Sequence, residues 1–136
     1  MLKQSKSFSI LGDSISTLFG YSQPSEAVFY TAAKRYETGV YSLSDTWWGQ
    51  VIDTLGGRLL VNNSFSGSTV CFDPRNEIAS YGCSDARTSA LGIDGEVPDV
   101  ILIFMGMNDR GLGVPLHPTC EAEKNDLTVF QIDSFF

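Results

Sequence analysis

The stretch that most restricts the fold is Val100-Ile101-Leu102-Ile103-Phe104-Met105, an unbroken apolar run between Pro98-Asp99 and Gly106-Met107-Asn108-Asp109. It is far short of the roughly 20 residues that a membrane span needs. It also lacks the in-out alternation of a half-solvated strand, so it reads as a parallel strand covered on both faces. Parallel neighbours are joined only by long crossovers, so the chain has to contain further strands separated by helices.

Two other segments meet that requirement. Phe8-Ser9-Ile10-Leu11 stops at Gly12 and is followed by Asp13-Ser14-Ile15-Ser16. Arg58-Leu59-Leu60-Val61-Asn62-Asn63 is followed by the small-residue loop Ser64-Phe65-Ser66-Gly67-Ser68-Thr69. The predicted strands are therefore about 8–11, 58–63 and 100–105. Between the first two, Ser44 or Asp45 caps a helix through Trp47, Trp48, Val51, Ile52 and Leu55, whose spacing gives one apolar face. Gly56-Gly57 ends it. Adjacent helical side chains diverge by about 100°, so one tryptophan points into the core and the other packs nearby or flanks a cleft. Asp85 to Leu91 forms a short helix closed by Gly92. The order strand, helix, strand, helix, strand is that of an α/β domain with right-handed crossovers.

Past the first strand, Gly20 and Pro24 break up any regular element, so residues 20–43 read as irregular. This stretch carries Tyr21, Tyr30, Tyr36 and Tyr41. Long loops of this kind are often functional; tyrosines that merely cover the core are an equal alternative.

The 136 residues, 43% hydrophobic and 18% charged, are ordinary for one globular domain. A net charge of −7 argues against a nucleic-acid or anionic-membrane surface, which needs clustered Lys and Arg. Cys71, Cys83 and Cys120 fit neither a disulfide framework nor zinc-ligand spacing, so a reducing compartment is the simpler expectation. Lys3 and Lys6 precede an apolar run too short for a signal sequence, and a cytoplasmic location is expected.

In an open α/β sheet, ligands collect at the carboxyl ends of the strands. Those ends carry Ser14, Gly67 and Asn108. A serine hydroxyl attacking an ester needs donors aimed at the oxygen that becomes negative. The backbone N–H groups of Ser14 and Gly67 and the Asn108 amide offer three. At Gly67 the absence of a Cβ lets backbone approach a substrate. Asp13 and Asp109, also at strand ends, form an alternative pair for a magnesium or phospho-acceptor site, but the glycines and Asn108 suit an oxyanion better.

With these blocks in order, the sequence resembles the SGNH, or GDSL-type, hydrolases. The matches are Gly12-Asp13-Ser14, the Asn63 to Gly67 loop, and Gly106-Met107-Asn108-Asp109. The resemblance implies a flavodoxin-like three-layer sheet, Ser14 as nucleophile, and an oxyanion hole of Ser14 N–H, Gly67 N–H and the Asn108 side chain. It implies action on a small-molecule ester, acyl or acetyl and possible on carbohydrate, with no cofactor and no metal.

One departure stands out. The family's Asp-x-x-His block, which supplies the base, has no counterpart here. The single histidine, His117, has Val114 where the aspartate belongs, and reads as a loop residue. The resemblance also implies strands beyond 100–105, whereas the chain reaches Phe136 where a helix through Leu127 and Phe130 would begin. The expectation is thus one domain, 1–136, lacking its C-terminal portion and nearly inactive as it stands. The edge of strand 100–105 is left open to self-association. The alternative is a non-catalytic ligand-binding module on the same fold.

Overall fold

A computed structural model describes residues 5–72 and 81–113. The strands are β1 (Ser7–Gly12), β2 (Arg58–Ser64) and β3 (Val100–Phe104), close to the predicted bounds. The helices are α1 (Arg35–Thr38), α2 (Trp47–Thr54), α3 (Asp85–Thr88) and α4 (Met107–Gly111), with single 3₁₀ turns between them. The sheet has the order β2-β1-β3 with both pairs parallel. It is an incomplete α/β sheet of the flavodoxin-like kind. Gly12 is in register with Ser64 on one side and Phe104 on the other, so all three strands end along one edge.

As the central strand, β1 is buried along its whole length. Its residues divide between two faces. Phe8 and Ile10 join Leu18, Trp48 and Ile52 in the core under α2, with Leu59, Val100 and Leu102 packed alongside. On the opposite face Ser9 donates to the Leu91 carbonyl at 2.7 Å. Ser7 donates its N–H, at 2.8 Å, and its hydroxyl to the Asp99 carboxylate. Buried serines in a strand are acceptable because each hydroxyl has a partner.

Two expectations are corrected. The run at β3 is not covered on both faces: Ile101 and Ile103 are 46% and 65% exposed. Val100 and Leu102 face α2, whereas the Ser89–Leu91 turn on the other face packs chiefly on β1 and β2. The cap of α2 is Thr46, whose Oγ1 accepts the Gly49 N–H at 3.0 Å, not Ser44 or Asp45. Those residues belong to the preceding Leu43–Asp45 turn, where the Asp45 carboxylate already accepts the N–H groups of Tyr41 and Ser42. The helix ends as expected, with Gly56 at φ +62°.

The tyrosines of the irregular stretch differ in burial. Tyr30 packs against the core, whereas Tyr36 and Tyr41 are exposed and meet edge to face. Among the described residues no helix is long and apolar enough to cross a membrane.

Candidate active site

The first strand end is built around Gly12. A Cβ there would lie 2.4 Å from the Cβ and Oγ of Ser16 and 2.9 Å from Ser64 Oγ, so only glycine lets the chain fold back at once. It does so in the 3₁₀ turn Ser14–Ser16, capped by Asp13, whose Oδ1 accepts the Ile15 N–H at 3.1 Å. Ser16 anchors that turn. Its Oγ accepts the Trp47 indole N–H at 3.1 Å, and its carbonyl accepts the Trp48 indole N–H and the Asn62 side-chain amide N–H, both at 2.9 Å. The tryptophan pair thus has a joint use. Trp48 is fully buried, half-buried Trp47 lies with its ring 5.3 Å from that of Phe104, and both hold the turn that presents half-buried Ser14. Leu18, just past the turn, forms one wall of a cavity of about 260 Å³ lined also by Tyr21, Tyr30, Arg35 and Tyr41.

The second and third strand ends are tied together. Gly67 has φ +81°, and a Cβ there would have no atom within 4 Å. Backbone conformation, rather than close approach within the protein, is what demands glycine at this position. The next residue, fully buried Ser68, accepts the Asn108 side-chain N–H on its carbonyl at 2.8 Å. An amide nitrogen carries two hydrogens, so Asn108 retains one to give elsewhere. Asp109 reinforces the link, its carboxylate accepting the N–H groups of Val70 at 2.9 Å and Cys71 at 3.1 Å. The first end joins in through the Phe65 N–H, which donates to the Gly12 carbonyl at 3.1 Å. Ser14, Gly67 and Asn108 therefore stand on one edge of the sheet, on loops hydrogen-bonded to one another.

Asp109 is spent on the Val70 and Cys71 amides, so the magnesium alternative loses one of its two carboxylates. Among the described residues no group of three or more His, Cys, Asp or Glu is placed to hold a metal ion. Val114, His117, Cys120 and the Leu127 to Phe130 segment lie outside the described residues.

Sequence reasoning missed Arg87. Near the end of a short helix it looks like an ordinary cation at a helix C-terminus. It is instead 3% exposed, and its guanidinium donates to the carbonyls of Gly12 and Asn63 and to Ser68 Oγ. Asn63 returns the contact, its side-chain N–H reaching the Arg87 carbonyl at 2.9 Å. Burial pulls the guanidinium pKa down to about 10, with Asp13 opposing, so it is charged at neutral pH. No local pattern announces such a residue, because its acceptors come from segments distant in sequence.

Asp13 is 1% exposed, and its Oδ2 has no hydrogen-bond partner. Burial raises its pKa, the Ile15 N–H and its own backbone N–H oppose, and Asp109 adds to the rise more than Arg87 offsets it. The folded state therefore holds this proton after the unfolded chain has lost it. Stability from Asp13 falls as pH climbs from 3.8 towards the raised value. Asp99 acts in the opposite sense. The Ser7 N–H, then the Ser7 hydroxyl, lower its pKa, so its contribution is lost as pH drops below 3.8. Asp13→Asn, which preserves the capping oxygen, is expected to gain on the wild type as pH rises. Urea midpoints between about pH 3 and 7 test this, and a gap independent of pH would refute it.

The GDSL-like lipase/acylhydrolase family model matches residues 6–133. A protein of Bacteroides ovatus ATCC 8483, designated a GDSL-like lipase, is 36% identical with a TM-score of 0.70, covering 98% of this chain and 62% of its own. A second, from Bacteroides uniformis ATCC 8492 and of the same designation, is 35% identical with a TM-score of 0.67, covering 94% of this chain and 61% of its own. The chain thus spans about three fifths of the length of these solved structures. Comparison with curated proteins finds no match. With its three blocks on one sheet edge and the family model matched over nearly its whole length, the chain belongs to the GDSL-like lipase/acylhydrolase family.

Proposed function

We propose that this chain carries the nucleophile and the oxyanion-stabilising part of a serine ester hydrolase. The observation that carries the reading is the Asn108 to Ser68 hydrogen bond, which fastens the third strand end to the Gly67 loop beside the Ser14 turn. In this reading Ser14 Oγ attacks the ester carbonyl carbon. The carbonyl oxygen becomes negative and receives hydrogen bonds from Ser14 N–H, Gly67 N–H and the second amide hydrogen of Asn108. The alcohol leaves with a proton, and water then cleaves the acyl-serine.

The hydroxyl proton must pass to a base, and the described residues contain no histidine. The base is contributed from outside them. Acyl or acetyl esters are the substrates, those on carbohydrate among them.

A fluorophosphonate tests the nucleophile. In a version of the chain extended at its C-terminus by the corresponding segment of the Bacteroides ovatus relative, mass spectrometry should find one adduct, on Ser14. Labelling elsewhere, or none, would refute the assignment. In the same version Asn108→Ala should lower kcat on the order of 10²- to 10³-fold with little change in KM. A rise in KM alone would place Asn108 outside the oxyanion hole.

A further inference from the structure

Ser68 is held from two sides. Its carbonyl accepts the Asn108 side-chain N–H at 2.8 Å, while its hydroxyl accepts a guanidinium N–H of Arg87. The residue before it is Gly67. The same guanidinium donates to the Gly12 carbonyl at 3.0 Å, at the root of the Ser14 turn, and to the Asn63 carbonyl at the end of β2. One buried side chain therefore touches the Ser14 block and the Gly67 block directly, and the Asn108 block through a single shared residue.

We propose that Arg87 is the positioning residue of the oxyanion hole, fixing the Gly67 N–H and the Asn108 amide relative to the Ser14 turn by clamping Gly12, Asn63 and Ser68 together. The proposal rests on the ester-hydrolase reading of the site. Three acceptors, one at the end of β1 and two at the end of β2 and in its loop, converge on a planar fork of five N–H donors, a geometry that arginine satisfies and the single ammonium of lysine does not. Gly67 itself sits at φ +81° with open space on its Cβ side, and the residue that follows it is the one that Arg87 holds. Oxyanion donors act by being aligned before the charge develops, so a clamp beneath them affects the chemical step more than substrate binding. Arg87 touches no reacting atom. It acts through Ser68 and Gly12.

Arg87→Lys, which keeps the charge and removes the fork, tests this by ¹H–¹⁵N NMR on the 136-residue chain and by p-nitrophenyl acetate hydrolysis in the version extended at its C-terminus. The Gly67 backbone and Asn108 side-chain signals should shift or broaden while those of Phe8 and Ile10 stay in place. The value of kcat should fall on the order of 10²-fold, as for the loss of one oxyanion donor, with KM changed less than about threefold. Unchanged Gly67 and Asn108 signals, or a loss confined to KM, would overturn the proposal. If the extended wild-type chain shows no turnover, the NMR comparison alone decides the clamp, and the ester-hydrolase reading is judged separately by Ser14 labelling. If Arg87→Lys does not fold, Ser68→Ala decides, since it leaves the Gly12 and Asn63 contacts intact. Asn108 is bonded to the Ser68 backbone and not to its side chain, and the Ser68 hydroxyl also donates to the Thr69 carbonyl at 3.3 Å, so an Asn108 amide signal that stays unmoved would overturn the proposal.

Discussion

Ser14→Ala is expected to remove all fluorophosphonate labelling and to lower ester turnover on the order of 10⁶-fold in the C-terminally extended chain, the scale seen when a hydrolase loses its nucleophile. In the proposed reaction the hydroxyl would form the covalent intermediate, and the remaining donors would stabilise charge without supplying an attacking atom, so the effect is large. The structure limits side effects. Ser14 is half-buried, and the bonds that hold its turn are made by its carbonyl to Thr17 and by Ser16 to Trp47, Trp48 and Asn62, none of which uses the Ser14 hydroxyl. The unfolding midpoint should therefore stay near that of the wild type. Turnover within tenfold of the wild type would place the nucleophile elsewhere.

The largest effect on stability is expected from Trp48→Ala. Trp48 is fully buried in the cluster with Phe8, Ile10, Leu18 and Ile52, and its indole N–H donates to the Ser16 carbonyl at 2.9 Å. Truncating a buried tryptophan costs about 3–5 kcal/mol, the lost transfer energy adding to that of the cavity left behind. Trp48→Phe fills most of that space and removes the hydrogen bond, a net loss of roughly 1 kcal/mol for the bond itself. The Ser16 carbonyl keeps the Asn62 amide as a partner, so neither variant strands a buried acceptor. Urea unfolding of both variants checks the order. A cost below about 1 kcal/mol for the alanine variant would contradict the packing described.

Much of the fold, and the placing of the candidate site residues on one sheet edge, was legible in the sequence, and the reasons are specific. The apolar runs at Phe8, Arg58 and Val100 were bounded by glycine or small polar residues, so strand positions and the α/β order could be read locally. Gly67 and Asn108 were singled out by chemistry, and the structure adds that Ser68 links them. What could not be read depends on contacts between distant segments. The exposed side of β3 depends on what packs over it from other parts of the chain, and Arg87 on three acceptors that no spacing rule brings together. The α2 cap was misplaced because Asp45, a good cap in isolation, was claimed by the turn before it. Gly12 and Gly67 look alike in sequence, yet one is required by crowding and the other by its φ.

The sheet order β2-β1-β3 also sets a schedule for folding. β1 comes first in the chain, pairs with β2 on one side, and waits for β3 on the other. The Ser7 to Asp99 bonds beside that pairing close a separation of 92 residues, an entropic cost of about 4 kcal/mol from the length term alone. During synthesis the Ser14 turn can be completed by α2 and β2, while the Asn108 side remains open until β3 emerges. Assembly of the site is thus tied to the slowest, most non-local contact in the described fold.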